Sequence, residues 1–386
     1  MVCLDAKPDR IGSSSNIKNG AVYIRWGKTR CPSRDTKLVY SGYAAGAYYT
    51  QNAGSDTQCL PRNPNWRRYH DGDNPSAFIY GAEYQLYFSV GETLHKKYHD
   101  YKVPCAVCQS KKRLNVHMIP AKDRCHSYGW HLEYRGYLMT QYYSHGASNY
   151  VCVDAKPDTI GSRSNKDSRL FYPVESICGS LPCPPYVKHR ELTCALYNYI
   201  IDCFARMKLK IVYLFKITGY AAGSHFTQNA CVNTQCLPKD PSWRRYHDGY
   251  INDACQIYGA EYQVHPYSVG EALHNHYHDY NVPCAVCQSK KRLNQKIDVY
   301  NGWHLEYRGY LMAQRHDQGA SKYLCVDARP EKIGSKSNQD GRLFYPVEGH
   351  CHSGSLPCPP YVPGRELTCA LKINVTMDGI LNTEDT

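Results

Sequence analysis

The sequence contains few signs of catalysis. No Gly-X-Ser-X-Gly elbow, phosphate-binding loop or dinucleotide fingerprint occurs in its 386 residues. Several acidic residues recur along the chain, but no pattern places two of them together, as glycoside hydrolysis would require. We therefore predict that the protein is not an enzyme and has neither catalytic residues nor a cofactor.

Long uncharged hydrophobic runs are also missing. The most apolar stretch, 196–217, is interrupted near its middle by Asp202, Arg206, Lys208 and Lys210. A charge near the centre of a bilayer costs about 3 kcal/mol, which argues against a membrane span. The first thirty residues lack the basic start, apolar stretch and small-residue cleavage site of a secretory leader.

Phenylalanine is scarce and tyrosine is abundant, with 7 and 36 residues respectively. Tyrosine combines an apolar ring with a polar hydroxyl, which suits half-exposed strand positions. Runs rich in Tyr, Val and Phe, bounded by Gly, Pro, Asn and Asp, predict strands at FIYGAEYQLYF, WHLEYRGYLM, NYVCVD and RLFYPVE. Near the start, Val22, Ile24 and Trp26 alternate with other residues as in a half-buried strand.

Helical periodicity is confined to one repeated segment. It occurs in SVGETLHKKYHDY at 89–101 and again in SVGEALHNHYHDY at 268–280, where a single short helix is predicted. The predicted fold class is therefore all-β, a set of disulfide-rich tandem modules with minor helix.

The most informative feature present is an internal duplication. VPCAVCQSKKRLN at 103–115 returns at 282–294, GWHLEYRGYLM at 129–139 returns at 302–312, and RELTCAL at 190–196 returns at 365–371. Residues 3–16 also match 152–165 and 325–338, so Met1 stands in the middle of a third, broken copy. We expect that the chain is truncated at its N-terminus, in which case a missing leader says little about location.

These repeats predict the organisation of the chain. The opening of the first copy is absent from the second, which rejoins the pattern only at Gly219. The segment between the copies is predicted to be a linker or divergent insert, or a stretch foreign to the mature protein. The predicted parts are a remnant of a preceding repeat at 1–16, a first module at 20–196, the insert at 197–218, a second module lacking its first strands at 219–371, and a disordered tail at 372–386.

Cysteine is the most frequently retained residue type. Twenty cysteines are spread over whole repeats, a pattern that favours disulfides in an oxidising, extracellular compartment. Six have no partner copy: Cys3, Cys31, Cys125, Cys203, Cys231 and Cys255. The disulfide candidates are Cys31, Cys59, Cys105, Cys108, Cys152, Cys178, Cys183, Cys194, Cys236, Cys284, Cys287, Cys325, Cys351, Cys358 and Cys369, with their connectivity open.

A zinc site is the alternative use for some of these thiols. Two imidazoles one helical turn apart, followed by a Cys-X2-Cys pair, have the residue types of a tetrahedral site. The duller interpretation assigns the cysteines to disulfides and the histidines to a solvated face, and no metal is predicted. The two sets are His95, His99, Cys105 and Cys108, and His274, His278, Cys284 and Cys287.

The formal net charge of +12 favours polyanionic partners. Sulfated glycosaminoglycans are the candidate ligand in an extracellular setting, whereas no nucleic-acid motif accompanies the charge. Solvated surface charge is the alternative. The candidate polyanion-binding residues are Arg67, Arg68, Lys111, Lys112, Arg113, Arg244, Arg245, Lys290, Lys291 and Arg292. One glycosylation sequon is present, at Asn374.

The order of the repeated blocks carries a family resemblance. GAVYIRWGKTRCP, LVYSGYAAG, YGAEYQ, VPCAVCQSKKRLN, GWHLEYRGYLM, YVCVDAKP, LFYPVE, SLPCPPYV and RELTCAL resemble, in that order, the non-collagenous C-terminal domain of sponge-type short-chain (spongin) collagens. The resemblance covers most of 20–196 and 219–371. It implies a secreted matrix component that guides chain assembly, whose partners are other matrix proteins or itself.

The chain departs from that family in one important way. It contains no Gly-X-Y tract, which a triple helix requires because only glycine fits at the crowded axis. The resemblance is therefore to the terminal module alone, used in tandem. The expected function is a structural or assembly role in the extracellular matrix, and the alternative is a secreted module that binds glycans or glycosaminoglycans.

Overall fold

The structure, a computed structural model, is built almost entirely from β-strands. Within the residues that it describes, helical backbone is limited to 3-10 geometry, at Lys96–Tyr98 and at Tyr277. The all-β prediction is confirmed, and residues 89–95 and 268–276 of the predicted helices lie outside the described part. The described residues are 20–52, 55–65, 78–86, 96–111, 116–123, 130–163, 166, 168–199, 217–243, 254–263, 277–286, 303–334, 336, 339–348, 358, 360, 366–375 and 381–382.

The first copy contributes ten strands, which include all the runs that the sequence predicts. They are β1 (Val22–Trp26), β2 (Thr36–Gly46), β3 (Gln58–Pro61), β4 (Tyr80–Tyr84), β5 (Pro104–Ser110), β6 (Val116–Pro120), β7 (Trp130–Thr140), β8 (Val151–Asp154), β9 (Arg169–Ser176) and β10 (Thr193–Tyr199).

Seven of these strands pair in a closed circuit. The order is β2, β5, β1, β8, β7, β9 and β4, with β4 pairing back to β2. The β1–β8 and β4–β9 pairs are parallel and the others antiparallel. Since β1 lies between β5 and β8, it joins the two halves of the first copy.

The position of β1 corrects the predicted alternation. Val22 is 38% exposed, whereas Tyr23 on the opposite face is buried. Ile24 and Trp26 pack in one core cluster and Tyr23 in another. The strand is therefore covered on both faces near its C-terminal end, where a period of two no longer separates core from solvent.

The second copy repeats this arrangement, and its described residues include no counterpart of β1. Its strands are β11 (Ile217–Gly223), β12 (Gln235–Pro238), β13 (Cys255–Tyr262), β14 (Pro283–Val286), β15 (Trp303–Ala313), β16 (Leu324–Asp327), β17 (Arg342–Pro346), β18 (Thr368–Val375) and β19 (Leu381–Asn382). Pairing runs from β14 through β11, β13, β17 and β15 to β16. In the described part of the chain, nothing bridges β14 to β16.

Strands occur in part of the segment 372–386, for which the sequence predicts a disordered tail. Residues 372–375 continue β18, which pairs with β15, and 381–382 form β19 beside it. Ile373 and Val375 are β-branched, which favours an extended backbone. Asn374, the sequon residue, lies in this strand opposite Trp303.

Seven disulfides connect described cysteines. Cys59–Cys105 corresponds to Cys236–Cys284, and Cys152–Cys194 corresponds to Cys325–Cys369. The remaining pairs are Cys31–Cys108, Cys178–Cys183 and Cys231–Cys255, and Cys358 is also disulfide-bonded. Cys287 and Cys351 lie outside the described residues. Such a density of disulfides is typical of secreted and extracellular proteins.

No helix among the described residues has the length and apolar character needed to cross a membrane. Residues 200–216, which hold most of the predicted insert, are not among them.

Candidate assembly interface

The two copies share a hydrophobic core. One cluster of buried side chains includes Leu181 and Tyr186 from the first copy together with Leu237, Cys255 and Ile257 from the second. Each of these five residues is at most 1% exposed. Apolar burial between the copies stabilises their association by roughly 25 cal/mol per Å².

Main-chain pairing continues one sheet into the other. The C-terminal end of β9 pairs in parallel with the start of β13, with Val174 opposite Cys255 and Ser176 opposite Ile257. Just beyond β9, the Ile177 N–H donates to the Ile257 carbonyl at 2.9 Å. The edge of each sheet is thereby covered by the other copy.

A disulfide-closed segment, Cys178–Tyr186, follows β9 and is here called the docking loop. The Ser180 hydroxyl donates to Glu261 Oε1 at 2.7 Å. The Tyr186 hydroxyl donates to the Pro238 carbonyl at 2.7 Å. The surface of the second copy that accepts this loop is called the receiving face and comprises Tyr220, Leu237, Pro238, Ile257, Gly259 and Glu261.

Glycine at position 259 allows the docking loop to approach so closely. A Cβ atom built there would lie 2.1 Å from the Ser180 carbonyl carbon and 2.2 Å from the Leu181 nitrogen. Backbone atoms cannot move aside as a flexible side chain can. Any residue other than glycine would therefore push the loop off the receiving face.

Further contacts surround the loop. Arg190 stacks over the Trp243 ring with its guanidinium carbon 5.0 Å from the centroid, and Thr193 donates a hydrogen bond to the Ser242 carbonyl. On another side, the Val232 N–H donates to the Ser148 carbonyl at 2.8 Å. These contacts spread the interface over several elements of both copies.

Sequence analysis missed one disulfide at this interface. Cys231 and Cys255 have no cysteine counterpart in the first copy, where Gly54 and Ala77 stand in register, yet they bond to each other. Both are fully buried and belong to the core that the copies share. A signal was present, since two unmatched cysteines of one copy lie only 24 residues apart.

Two buried arginines were also missed. Arg169 and Arg342 open β9 and β17 and are each 1% exposed. Arg169 donates to the carbonyls of Ser55 and Ala147 at 2.8 and 3.3 Å, and Arg342 donates to the Val232 carbonyl at 2.9 Å. Burial lowers the pKa of each guanidinium to about 10, so both remain charged at neutral pH. The sequence did offer a signal for these arginines, because each is the first residue of the repeated run RLFYPVE.

The structure brings together two pairs of carboxylates that the sequence could not place, Glu175 with Glu191 and Glu348 with Glu366. Glu175 and Glu191 are opposite one another in an isolated β-bridge, and both are almost fully buried. His189 Nδ1 lies 3.2 Å from Glu175 Oε2. Desolvation lowers the pKa of His189, with a smaller contribution from Lys188. The Glu175 and Glu191 carboxylates are closed off from solvent, whereas Glu348 is exposed and Glu366 is half-buried.

The zinc alternative fails on the sulfur chemistry. Cys105 and Cys108 are bonded to Cys59 and Cys31 respectively, and Cys284 is bonded to Cys236. A zinc ligand must be a thiolate, which a disulfide sulfur is not.

The histidines of those sets have other contacts. His99 accepts a hydrogen bond from the Leu86 N–H through Nδ1, and its Nε2 lies 3.3 Å from Asp100. His278 Nε2 lies 3.4 Å from Asp279. His95 and His274 are outside the described residues, within which no group of three or more His, Cys, Asp or Glu side chains is arranged to hold a metal ion.

The predicted polyanion site is represented by one residue, Lys111. It is exposed, and its ammonium donates to the Arg34 carbonyl at 2.8 Å. The other nine basic candidates lie outside the described residues, so polyanion binding stays a prediction. No protein-family model matches this chain.

Proposed function

We propose that the protein is a non-enzymatic, extracellular assembly protein whose repeated β modules bind one another. The observation that carries this proposal is the joining of the two copies by parallel strand pairing and a docking loop. The complete burial of Ile257 and Leu237 in the core that the two copies share supports a binding role for this surface. The disulfides suit the oxidising environment in which such a protein would work.

The resemblance to the terminal module of short-chain collagens supports a matrix setting for this role. Terminal modules of that kind guide chain assembly, and here they occur in tandem without a triple helix. We accordingly place the protein in the extracellular matrix, with other matrix proteins or further copies of itself as partners.

Sedimentation of the oxidised full chain in low and high salt tests the proposal. Assembly through an apolar, hydrogen-bonded interface is expected to persist at high salt. Salt screens the attraction between exposed charges but hardly weakens buried contacts. The alternative function, glycosaminoglycan binding through basic clusters, predicts a complex with heparin that dissociates as salt rises. A chain that is monomeric at every salt concentration but binds heparin would overturn the assembly role.

A further inference from the structure

Among the described residues, the first copy carries a second receiving face that nothing covers. Its residues are the counterparts of those that bind the docking loop in the second copy, and except for Glu83, which is buried like Glu261, they are more exposed. Leu60 is 37% exposed where Leu237 is fully buried, and Ile79 is 51% exposed where Ile257 is fully buried. Phe78, beside Ile79, is 52% exposed. Exposed apolar residues grouped in this way mark an interaction surface.

Gly81 gives the sharpest comparison. It is the counterpart of Gly259 in the YGAEYQ block, yet a Cβ atom built on Gly81 would meet nothing within 4 Å. Nothing in the described part of the first copy therefore requires glycine there. The requirement appears only when a docking loop is bound, as it is at Gly259.

The chain also carries a second docking loop sequence. SLPCPPYV at 180–187 returns unchanged at 355–362, of which positions 358 and 360 are described. The strand that precedes it is β17, and the two described residues that follow β17 are more exposed than their counterparts in the first copy. Val174 and Glu175 are fully buried against the second copy, whereas their counterparts Val347 and Glu348 are half-buried and exposed.

From the open receiving face of the first copy and the loop sequence of the second, we infer that the protein associates head to tail with further copies of itself. The docking loop of the second copy in one chain binds the open receiving face of the first copy in the next. By analogy with β9 and β13, Glu348 of one chain pairs in parallel with Phe78 of another. The interface is heterologous, so it generates a ring if the rotation closes and a filament if it does not.

This inference names the partner in the proposed assembly role and rests on it. It is also narrower, since it assigns assembly to one pair of surfaces. Sedimentation velocity of the oxidised full chain over a concentration series tests it. Wild-type protein is expected to associate as its concentration rises, into a closed ring or an open filament, because each chain has one loop to offer and one face to fill.

The Gly81→Ala variant separates assembly from folding. In the monomer the added methyl group has open space, so thermal unfolding and the count of free thiols should match wild type. In the assembly it would meet the incoming loop as a Cβ at position 259 would meet Ser180, and the variant is expected to remain monomeric. Ile79→Asp should behave alike. Val22→Asp is the matched control, an exposed apolar residue on β1, which has no counterpart in the second copy, and it should assemble normally.

Mixing two defective chains provides the decisive experiment. Leu356→Asp damages the loop, and Gly81→Ala blocks the face, so each variant alone should be monomeric. Together they keep one intact loop and one intact face, and they should form a 1:1 dimer and nothing larger. An isologous interface would not give this complementation.

Each failure has a distinct meaning. If the wild type associates in high salt but Gly81→Ala associates equally well, the head-to-tail inference is wrong and the assembly role survives through another surface. If the wild type is monomeric throughout, the inference and the assembly role are both overturned, and the open face belongs to a different partner.

Discussion

At the residue scale, each copy is supported by a guanidinium buried against a strand end, that of β2 in the first copy and of β11 in the second. A Cβ atom on Gly46 would lie 3.1 Å from the Arg169 side chain, and one on Gly223 would lie 3.1 Å from Arg342. Replacing Arg169 by Leu would leave the Ser55 and Ala147 carbonyls without this donor. We expect a loss of about 2 to 4 kcal/mol in the free energy of unfolding, measured by urea denaturation.

Arg169→Lys is the informative control for that prediction. A lysine ammonium is a single point charge and cannot reproduce the planar fork that reaches two carbonyls. It should therefore recover only a minor part of the lost stability. Wild-type stability in either variant would show that the guanidinium is dispensable.

His145 is expected to make stability depend on pH. It packs among the Tyr49, Tyr142 and Tyr172 rings, and burial lowers its pKa from 6.5 to about 4. Between those two values the unfolded chain binds a proton that the folded chain does not, so stability falls as pH drops from about 6.5 to about 4. Since the ring is only half-buried, we expect this loss to stay below about 2 kcal/mol.

The second copy supplies the control, because Gln318 stands where the first copy has His145. His145→Gln should flatten the pH dependence over this range while leaving the carboxylate contribution in place. Urea unfolding of both proteins at several pH values measures the difference. Parallel curves for the two proteins would contradict the assignment.

At the scale of strands, the absence of a β1 counterpart should leave a weak edge in the second copy. β5 pairs with β1 and β2, whereas β14 pairs with β11 alone among described strands. Unpaired N–H groups at a sheet edge exchange more readily. Hydrogen exchange followed by mass spectrometry should therefore show faster exchange in β14 and β16 than in β5 and β8. Equal protection would mean that another segment fills the gap.

At the scale of the whole molecule, the shared core should make the two copies unfold together. Calorimetry of the wild type is expected to show one transition that includes both. Gly259→Ala should separate them, because its methyl group meets Ser180 and Leu181 backbone atoms. Overpacking of this kind costs about 1 to 3 kcal/mol. A single unshifted transition in this variant would indicate that the docking loop is energetically unimportant.

Much of each copy follows from local pattern. Tyr-rich runs between turn residues predicted β4, β7, β8 and β9, because the two-residue period and turn chemistry are properties of neighbouring residues. In the segment 89–101, where a short helix is predicted, the described residues contain a 3-10 turn at Lys96–Tyr98. Residues 372–375, within the predicted disordered tail, continue β18 and pair with β15, which is distant in the sequence.

The sequence by itself determined the duplication, the all-β class and the cysteines that recur in both copies, since each is written in residue order. Tertiary structure alone decided which cysteines pair in the seven described disulfides, the burial of Arg169 and Arg342, and the docking of one copy on the other. Those features depend on which distant surfaces meet. Leu60 and Ile79 in the first copy are exposed, whereas their identical counterparts in the second copy, Leu237 and Ile257, are buried. Local sequence alone therefore could not tell a covered receiving face from an open one.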